Sequence, residues 1–198
     1  MYTGPQASLA GFESAVPTDR LFFALFPDPA TAQRLTALAQ QQAARHGLRG
    51  APLKAERFHL TLVHLGDWAG LPPAVVEAAT RAAEPVQHAA FEVCLDEVGS
   101  FASRKDDKPF VLKARGRNEA LRSFHAELAD RLARAGLTRA ASEALEPHVT
   151  LLYDRQMVAA EPVEPVRWRA GEWVLVHSLL GQTRHRRLAT WPLAGTGG

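Results

Sequence analysis

The sequence FHLTLV at residues 58–63 predicts a β-strand, because it is short and rich in residue types that strands favour. Successive side chains of a strand alternate between its two faces, so we expect His59 and Thr61 to point in the same direction. A second sequence, HVTLLY at residues 148–153, also has Thr two positions after His and Leu directly after that Thr. The sequence therefore predicts two strands that each present an imidazole and a hydroxyl on one face.

The two His-x-Thr motifs belong to a longer internal repeat. The histidines differ by 148 − 59 = 89 positions, and the same offset relates Gly47 to Gly136 and the Leu that follows each glycine. The predicted strands that open the two segments, at Leu21 and Phe110, also differ by 89. Because the order strand, helix, Gly-Leu stop and His-x-Thr-Leu strand occurs twice, we expect two similar halves around a common cleft.

Strands and helices alternate along the rest of the chain. Residues 1–19 mix Gly, Pro, Ser and Thr without a period and predict a flexible leader, which leaves residues 20–198 as a single bilobal domain. Asp28 and Asn118 are placed to cap the two helices that end at the glycines of the repeat. The other predicted elements are a helix over 72–84 and strands over 21–26, 91–98, 109–115, 172–179 and 188–193.

The composition limits the classes of function. The chain has 198 residues, 46% hydrophobic and 22% charged, which is typical of a soluble globular protein. A formal net charge of +2 excludes a polycation, and the single cysteine, Cys94, excludes an internal disulfide or a C-x-x-C zinc site. Neither a signal sequence nor a membrane-spanning apolar run is present. We therefore expect a cytoplasmic protein with no membrane partner, and we expect a monomer.

Two imidazoles that face one cleft suit acid–base catalysis at phosphorus. An in-line displacement needs one group that removes a proton from the entering oxygen and one that protonates the leaving oxygen, and histidine can do both near neutral pH. The Thr61 and Thr150 hydroxyls can donate hydrogen bonds to the phosphate oxygens. The sequence has neither an H-E-x-x-H motif nor a G-x-x-x-x-G-K-[ST] loop. We expect no metal and no cofactor; the alternative is that His59 and His148 are packed polar residues without a catalytic role.

The paired motifs resemble those of the 2H phosphoesterase superfamily, and within it the RNA 2′,3′-cyclic phosphodiesterases that are also called 2′-5′ RNA ligases. The resemblance covers residues 20–193, and it implies an α+β, bilobal fold with pseudo-two-fold symmetry, in which antiparallel sheets with flanking helices surround a central cleft. The matching stretches are RLFFAL (20–25), ERFHLTLVHLG (56–66), PHVTLLY (147–153), WVLVHS (173–178) and TWPL (190–193).

The resemblance also implies roles for the motif residues. His59 would be the proton donor to the leaving 3′ oxygen, His148 the proton acceptor that activates water, and Thr61 and Thr150 the phosphate-binding hydroxyls. The substrate would be RNA with a 2′,3′-cyclic phosphate terminus, hydrolysed to a 2′-phosphate without a metal ion. Weak 2′-5′ ligation would be the reverse reaction.

Two positions depart from the pattern of many relatives, which have Arg at Tyr153 and Tyr near His185. We keep both as candidate substrate-binding residues. Arg155 is a third candidate, since it can supply the missing cation from two positions further along the chain; its alternative is a solvated surface arginine.

Two further features are a group of arginines, for which two roles are open, and His64. The run Arg184-His185-Arg186-Arg187, together with Arg167 and Arg169, can attract an RNA backbone or can be a solvated loop. His64 lies five positions from His59, hence on the opposite face of a regular strand, and we assign it a structural role.

Two readings of the function compete with the leading one. The same site can act on 2′-5′-linked oligonucleotides or small cyclic nucleotides, which changes the substrate but not the chemistry. The motif residues can also bind the phosphate of an RNA end without catalysis, although a pure binder has no need for two titratable imidazoles in one cleft.

Overall fold

A single antiparallel sheet organises the residues that the computed structural model describes, which are 16–104, 106–116, 118–137, 144–182 and 184–194. Its strands are β1 (Asp19–Leu25), β2 (Leu60–Trp68), β3 (Phe91–Ser100), β4 (Lys108–Lys113), β5 (His148–Asp154), β6 (Glu161–Ala170), β7 (Glu172–Leu179) and β8 (Arg184–Pro192). The α-helices are α1 (Pro29–His46), α2 (Pro73–Ala83) and α3 (Glu119–Arg134), and a 3₁₀ turn covers Ala55–Arg57. Among these described residues, no helix is long and apolar enough to cross a membrane.

The strand order is β6-β3-β4-β5-β2-β1-β7-β8, and every neighbouring pair is antiparallel. The two segments of the sequence repeat are β1-α1-β2 and β4-α3-β5. They meet at the centre of the sheet, where β2 and β5 pair through a single register position, Leu60 opposite Val149. The sheet therefore consists of two four-stranded halves that join between the two His-x-Thr strands.

The two faces of the sheet have different surroundings. Alternate residues of β1, such as Phe23, pack with helix residues such as Leu35 and Phe124 in the main core. Phe22 belongs instead to a small cluster with Ala24 of the same strand and Val174 and Val176 of β7. Because the helices contribute to the main core and not to the small cluster, they cover one face and leave the other open for a cleft.

Helix α1 begins and ends where the sequence predicts. The side chain of Asp28 accepts a hydrogen bond from the Thr31 N–H at 2.8 Å, which satisfies one of the free donors of the first turn. Gly47 ends the helix with φ 66°, and the N–H of Leu48 then donates to the carbonyl of Ala43 at 2.9 Å. The left-handed conformation at Gly47 explains why a glycine marks this position.

Asn118 does not cap α3 as predicted. Its Oδ1 accepts a hydrogen bond from the Cys94 N–H at 2.8 Å, and its Nδ2 donates to the Cys94 carbonyl at 3.0 Å. Both functional groups of the amide are therefore used to hold β3, and no side-chain capping bond is made to the helix. Sequence cannot separate these uses, because each places Asn immediately before a helix.

Strand β6 was not predicted from the sequence. This strand contains Pro162 and Pro165, and proline within a run normally argues against a strand because it cannot donate to the hydrogen-bond ladder. The prolines fit because β6 is an edge strand, which pairs with β3 and with no other described strand. The register between β6 and β3 is also irregular between Leu95 and Glu97, beside the prolines. Proline is tolerated in such a place.

Two boundaries also differ from the sequence predictions. Strand β1 includes Asp19, which the predicted leader contained; residues 1–15 of that leader lie outside the described residues. Strand β8 begins at Arg184 instead of Leu188, so Arg186 and Arg187 lie in a strand and not in a loop.

Gly50 lies so close to the backbone of Tyr153 that replacing it tests the packing at this position. A methyl group at this position would lie 1.8 Å from the carbonyl oxygen of Tyr153, which is backbone and cannot move aside. We expect Gly50→Ala to lower the free energy of unfolding by about 1–3 kcal/mol, measured by urea denaturation. Gly171→Ala is the matched control, since no described atom lies within 4 Å of its added methyl group. Equal stability of the two variants would contradict the close approach.

Candidate active site

A cleft of about 540 Å³ lies at the junction of β2 and β5. The side chains of both His-x-Thr motifs line it. The other residues that line it come from β1, from the turn before β2, from β2 and β5, and from the end of β7 through the start of β8: Arg20, Phe22, Leu53, Arg57, His64, Tyr153, Ser178, Leu179, Leu180, Gly181 and His185.

The two motif histidines are anchored in the same way. Nδ1 of His59 lies 2.7 Å from the carbonyl oxygen of Arg57, and Nδ1 of His148 lies 2.7 Å from the carbonyl oxygen of Glu146. Each acceptor precedes its histidine by two positions, so the repeat extends to this contact. Because a carbonyl can only accept, Nδ1 of each ring carries a proton, and Nε2 is the nitrogen that gains or loses one.

The two imidazoles have different surroundings. The His59 ring lies 5.1 Å from the Phe22 ring, 6.0 Å from that of Phe26 and 5.1 Å from that of His185, centre to centre. The His148 ring has an edge contact with Phe101 at 4.9 Å. The aromatic pocket on the β2 side therefore encloses one imidazole more than the other.

Burial lowers the pKa of His59 to about 4. Desolvation is the largest cause, because a buried imidazolium loses its hydration. The hydrogen bond to the Arg57 carbonyl opposes this change, while positive charge on His185, His148 and Arg57 adds to it. The pKa of His185 is also lowered by burial and by the charge of Arg57. His59 is consequently neutral at pH 7 when the cleft is empty.

The two threonines supply hydroxyl groups for a ligand. Thr61 and Thr150 are both half-buried and line the cleft. Neither hydroxyl has a hydrogen-bond partner within the part of the chain that the structure describes, so each can donate to a ligand that enters the cleft.

Two arginines in the cleft were not identified from the sequence. Arg20 makes two hydrogen bonds of 2.7 Å to the carboxylate of Asp67, and this contact lowers the pKa of Asp67 to about 2. Arg57 has no carboxylate partner among the described residues, and its Nε is buried without a hydrogen bond there. The sequence feature that could have indicated Arg57 is its position two residues before His59. The segment that contains it has no periodic pattern, so nothing else marked it as a cleft residue.

The face predicted for His64, opposite that of His59, was wrong, because His64 lines the cleft. Its Nε2 lies 2.9 Å from Oδ1 of Asp67. The cause is a bulge in β2: the register with β1 pairs Phe23 with Val63 and Ala24 with Thr61, which skips the residue between them. A bulge shifts the alternation of side chains, so a residue expected on the far face returns to the cleft.

The structure separates the three predicted substrate-binding residues. Tyr153 and His185 line the cleft with the motif histidines. Arg155 does not line it; this side chain is 82% exposed, and its Nε lies 4.0 Å from Oδ1 of Asp107. His177, the other histidine on a late strand, is buried with its Nε2 2.5 Å from Oδ1 of Asp19. It is therefore a structural residue outside the cleft.

The predicted arginine cluster is also divided. Arg167 and Arg169 lie on β6, at one edge of the sheet, while Arg184 to Arg187 lie on β8, at the opposite edge. Arg167 binds Glu92 at 2.9 Å and Arg187 binds Glu172 at 2.7 Å. These arginines do not form one surface, and the second predicted alternative, solvated side chains, describes Arg167 and Arg187 better.

The cleft thus combines two imidazoles, two hydroxyl groups and the guanidinium of Arg57. In the described ranges, no three His, Cys, Asp or Glu side chains form a group that could hold a metal ion. Two His-x-Thr motifs from the central strands of an antiparallel α+β sheet are the defining arrangement of a two-histidine, or 2H, phosphoesterase. A sequence model of the 2′-5′ RNA ligase superfamily matches residues 24–181, and the chain belongs to this superfamily.

Solved structures have the same fold. LigT of E. coli in its apo form superposes with a TM-score of 0.70 at 24% sequence identity, covering 90% of this chain and 99% of that one. A structure described as a phosphoesterase has a TM-score of 0.69 at 25% identity, covering 90% and 99%. A protein of Thermus thermophilus has a TM-score of 0.68 at 21% identity, covering 90% and 100%. A search among curated proteins finds no match. The predicted fold class is confirmed.

The lowered pKa of His59 can be measured directly. We expect the imidazole C–H resonances of His59 to titrate by NMR with a midpoint at about 4 in the free protein, because the buried ring binds a proton weakly. Saturating sulfate should move this midpoint upward, since an anion in the cleft stabilises the imidazolium and sulfate itself does not titrate in this range. His59→Gln assigns the signal. A midpoint near the ordinary value of about 6.5 in the free protein would contradict the burial of this ring.

Proposed function

We propose that this protein is an RNA 2′,3′-cyclic phosphodiesterase, which opens the cyclic phosphate at an RNA end and leaves a 2′-phosphate. The observation that carries the proposal is the matched pair His59 and His148, each with Nδ1 bonded to the carbonyl two residues earlier. Both rings line one cleft with two threonine hydroxyls. A site with two oriented Nε2 atoms has one proton acceptor and one proton donor for an in-line displacement.

The reaction divides the proton transfers between the two imidazoles. Nε2 of neutral His148 removes a proton from a water molecule, whose oxygen forms a new bond to phosphorus. The bond between phosphorus and the 3′ oxygen breaks, and Nε2–H of protonated His59 gives its proton to that oxygen. The products are a 3′-hydroxyl and a 2′-phosphate; protonated His148 then releases its proton to solvent, and His59 takes up a proton when the next substrate binds. The assignment of donor and acceptor follows the resemblance to the family.

The other cleft residues stabilise charge on the phosphate. The hydroxyls of Thr61 and Thr150 donate to the two oxygens that do not belong to the ring, where negative charge increases during attack. The guanidinium of Arg57 adds a positive charge beside them. Each group is already in the cleft before the substrate arrives, so little reorganisation is needed.

The low pKa of His59 fits the donor role only when substrate is bound. In the empty cleft His59 is neutral at pH 7, and a proton donor has to be charged. A bound phosphodiester has a negative charge, which stabilises the imidazolium and raises its pKa. Substrate binding is therefore coupled to proton uptake, and a buried imidazolium next to a leaving oxygen is a strong acid.

Ligands of a relative support a nucleotide substrate. E. coli LigT has been solved in complex with 3′-AMP and in complex with phosphate. We propose that the present cleft binds the terminal nucleotide of an RNA with its phosphate between the two histidines. Weak 2′-5′ ligation would follow because the reverse of ring opening uses the same two proton transfers.

The proposal predicts hydrolysis without added metal. Incubated in EDTA with a short RNA that ends in a 2′,3′-cyclic phosphate, the protein should accumulate the 2′-phosphate product, resolved from the 3′-phosphate by chromatography. His59→Ala and His148→Ala should each lower kcat by about 10²–10⁴-fold, because each removes one proton transfer.

His125→Ala is the control, since His125 lies on α3 and does not line the cleft. Near-wild-type turnover in either motif variant would overturn the mechanism. If folded protein leaves the cyclic end intact, turnover of 2′-5′-linked oligonucleotides or small cyclic nucleotides would favour the second reading. Tight binding of the RNA end without turnover at any pH would favour the non-catalytic one.

The threonine hydroxyls can be tested with near-isosteric changes. Thr61→Val and Thr150→Val keep the shape of the side chain but remove the donor, and each should lower kcat by about 10²-fold. Thr61→Ser and Thr150→Ser keep the hydroxyl and should retain most of the activity. Equal activity of the Val and Ser variants would show that the hydroxyls do not contact the phosphate in the transition state.

A further inference from the structure

A second cavity lies beside the cleft, on the other side of Tyr153. Its volume is about 670 Å³, and we call it the outer cavity; its polar side chains are those of Arg49, Asp107, Tyr153, Asp154, Arg155 and Gln156. Tyr153 is the residue common to the two cavities, and it is 48% exposed. A ligand that extends out of the cleft past Tyr153 therefore enters the outer cavity.

The wall of the outer cavity is fixed by the buried carboxylate of Asp154. One oxygen accepts hydrogen bonds from the N–H groups of Arg49 at 2.6 Å and Gly50 at 2.7 Å, and the other accepts from the N–H of Gln156 at 2.8 Å. These bonds join the segment after α1 to the end of β5. Because they also lower the pKa of Asp154, its charge persists at neutral pH and holds the wall in place.

The cavity contains guanidinium groups that are available for an anion. Arg49 is exposed and has no ion-pair partner in the ranges that the structure describes. Arg155 has a 4.0 Å contact with Asp107, in which both side chains are exposed, and such a pair contributes little. The carboxylate of Asp154 is occupied by three backbone N–H groups, so Asp107 is the acidic lining residue that competes with an incoming phosphate.

We propose that the outer cavity binds the part of the RNA on the 5′ side of the cyclic end. The phosphodiester that joins the last two nucleotides lies against Arg49 and Arg155, and a base stacks on the ring of Tyr153. Arginine binds phosphate through paired N–H groups, and an exposed aromatic ring stacks with any base. This inference rests on the proposed function, since it extends the same substrate by one nucleotide.

A comparison of substrate lengths tests the inference. A 2′,3′-cyclic mononucleotide fills only the cleft, whereas a pentanucleotide with the same terminal nucleotide also reaches the outer cavity. We expect kcat/KM of the wild-type protein to be at least about tenfold higher for the pentanucleotide, since base stacking and phosphate contacts are added. The double variant Arg49→Ala/Arg155→Ala should lose this advantage, while its kcat/KM for the mononucleotide stays unchanged. Additional salt should reduce the advantage in the wild type, because the contacts are to phosphate.

The double variant Arg81→Ala/Arg134→Ala is the matched control. It removes the same charge from helices α2 and α3, at positions that line neither cavity. Tyr153→Leu should also weaken binding of the pentanucleotide, and Tyr153→Phe, which keeps the ring, should restore it.

The outcomes separate the inference from the proposed function. If the mononucleotide is hydrolysed but length has no effect, or if the Arg49→Ala/Arg155→Ala change affects both substrates equally, the outer cavity is not an RNA subsite and the proposed function stands. If neither substrate is hydrolysed, the proposed function fails. In that case, fluorescence anisotropy of a labelled pentanucleotide with a 2′-phosphate end tests the subsite on its own. Binding to the Arg49→Ala/Arg155→Ala variant that is weaker than binding to the control variant by about tenfold or more supports the subsite. Equal binding to the two variants overturns it.

Discussion

The candidate site depends on the contact between two central strands. Strands β2 and β5 pair at one register position, Leu60 opposite Val149, and His59 and His148 each come directly before the paired residue. Because side chains alternate along a strand, fixing these two buried residues on the core side directs the neighbouring imidazoles to the open face. Helix packing on one face and the presentation of both imidazoles on the other are thus determined by the same backbone pairing.

The two halves of the site have the same backbone geometry but different surrounding side chains. The backbone anchors of His59 and His148 are equivalent, yet three aromatic rings, those of Phe22, Phe26 and His185, surround the first imidazole, whereas among the described residues the second has a ring contact with Phe101 alone. The residue that supplies the carbonyl is a cation, Arg57, in one half and an anion, Glu146, in the other. A repeated backbone with different side chains thus places two equivalent imidazoles in unlike environments, which suits the different roles that we propose for them.

The sequence was sufficient for what depends on local pattern. The strand–helix–strand repeat, the Asp28 cap and the convergence of four motif side chains all follow from spacing and alternation. It was insufficient where tertiary context decides. The bulge that returns His64 to the cleft, the edge position that tolerates two prolines in β6, and the use of Asn118 to bind β3 instead of a helix end all depend on a partner strand that no local pattern specifies.

The order of the strands has a consequence for the integrity of the cleft. One half of the sheet, β3 to β6, is a continuous stretch of chain inserted between β2 and β7, whereas the other half is assembled from both ends of the described chain. Helix α1 follows β1 but packs against β5 and β6 of the other half, whereas α3 follows β4 and contacts both β3 of its own half and β2 of the other. Hinge opening would therefore separate packed helices as well as the central pairing. The two imidazoles are held by an interlaced scaffold, which favours cooperative unfolding over separation of the halves.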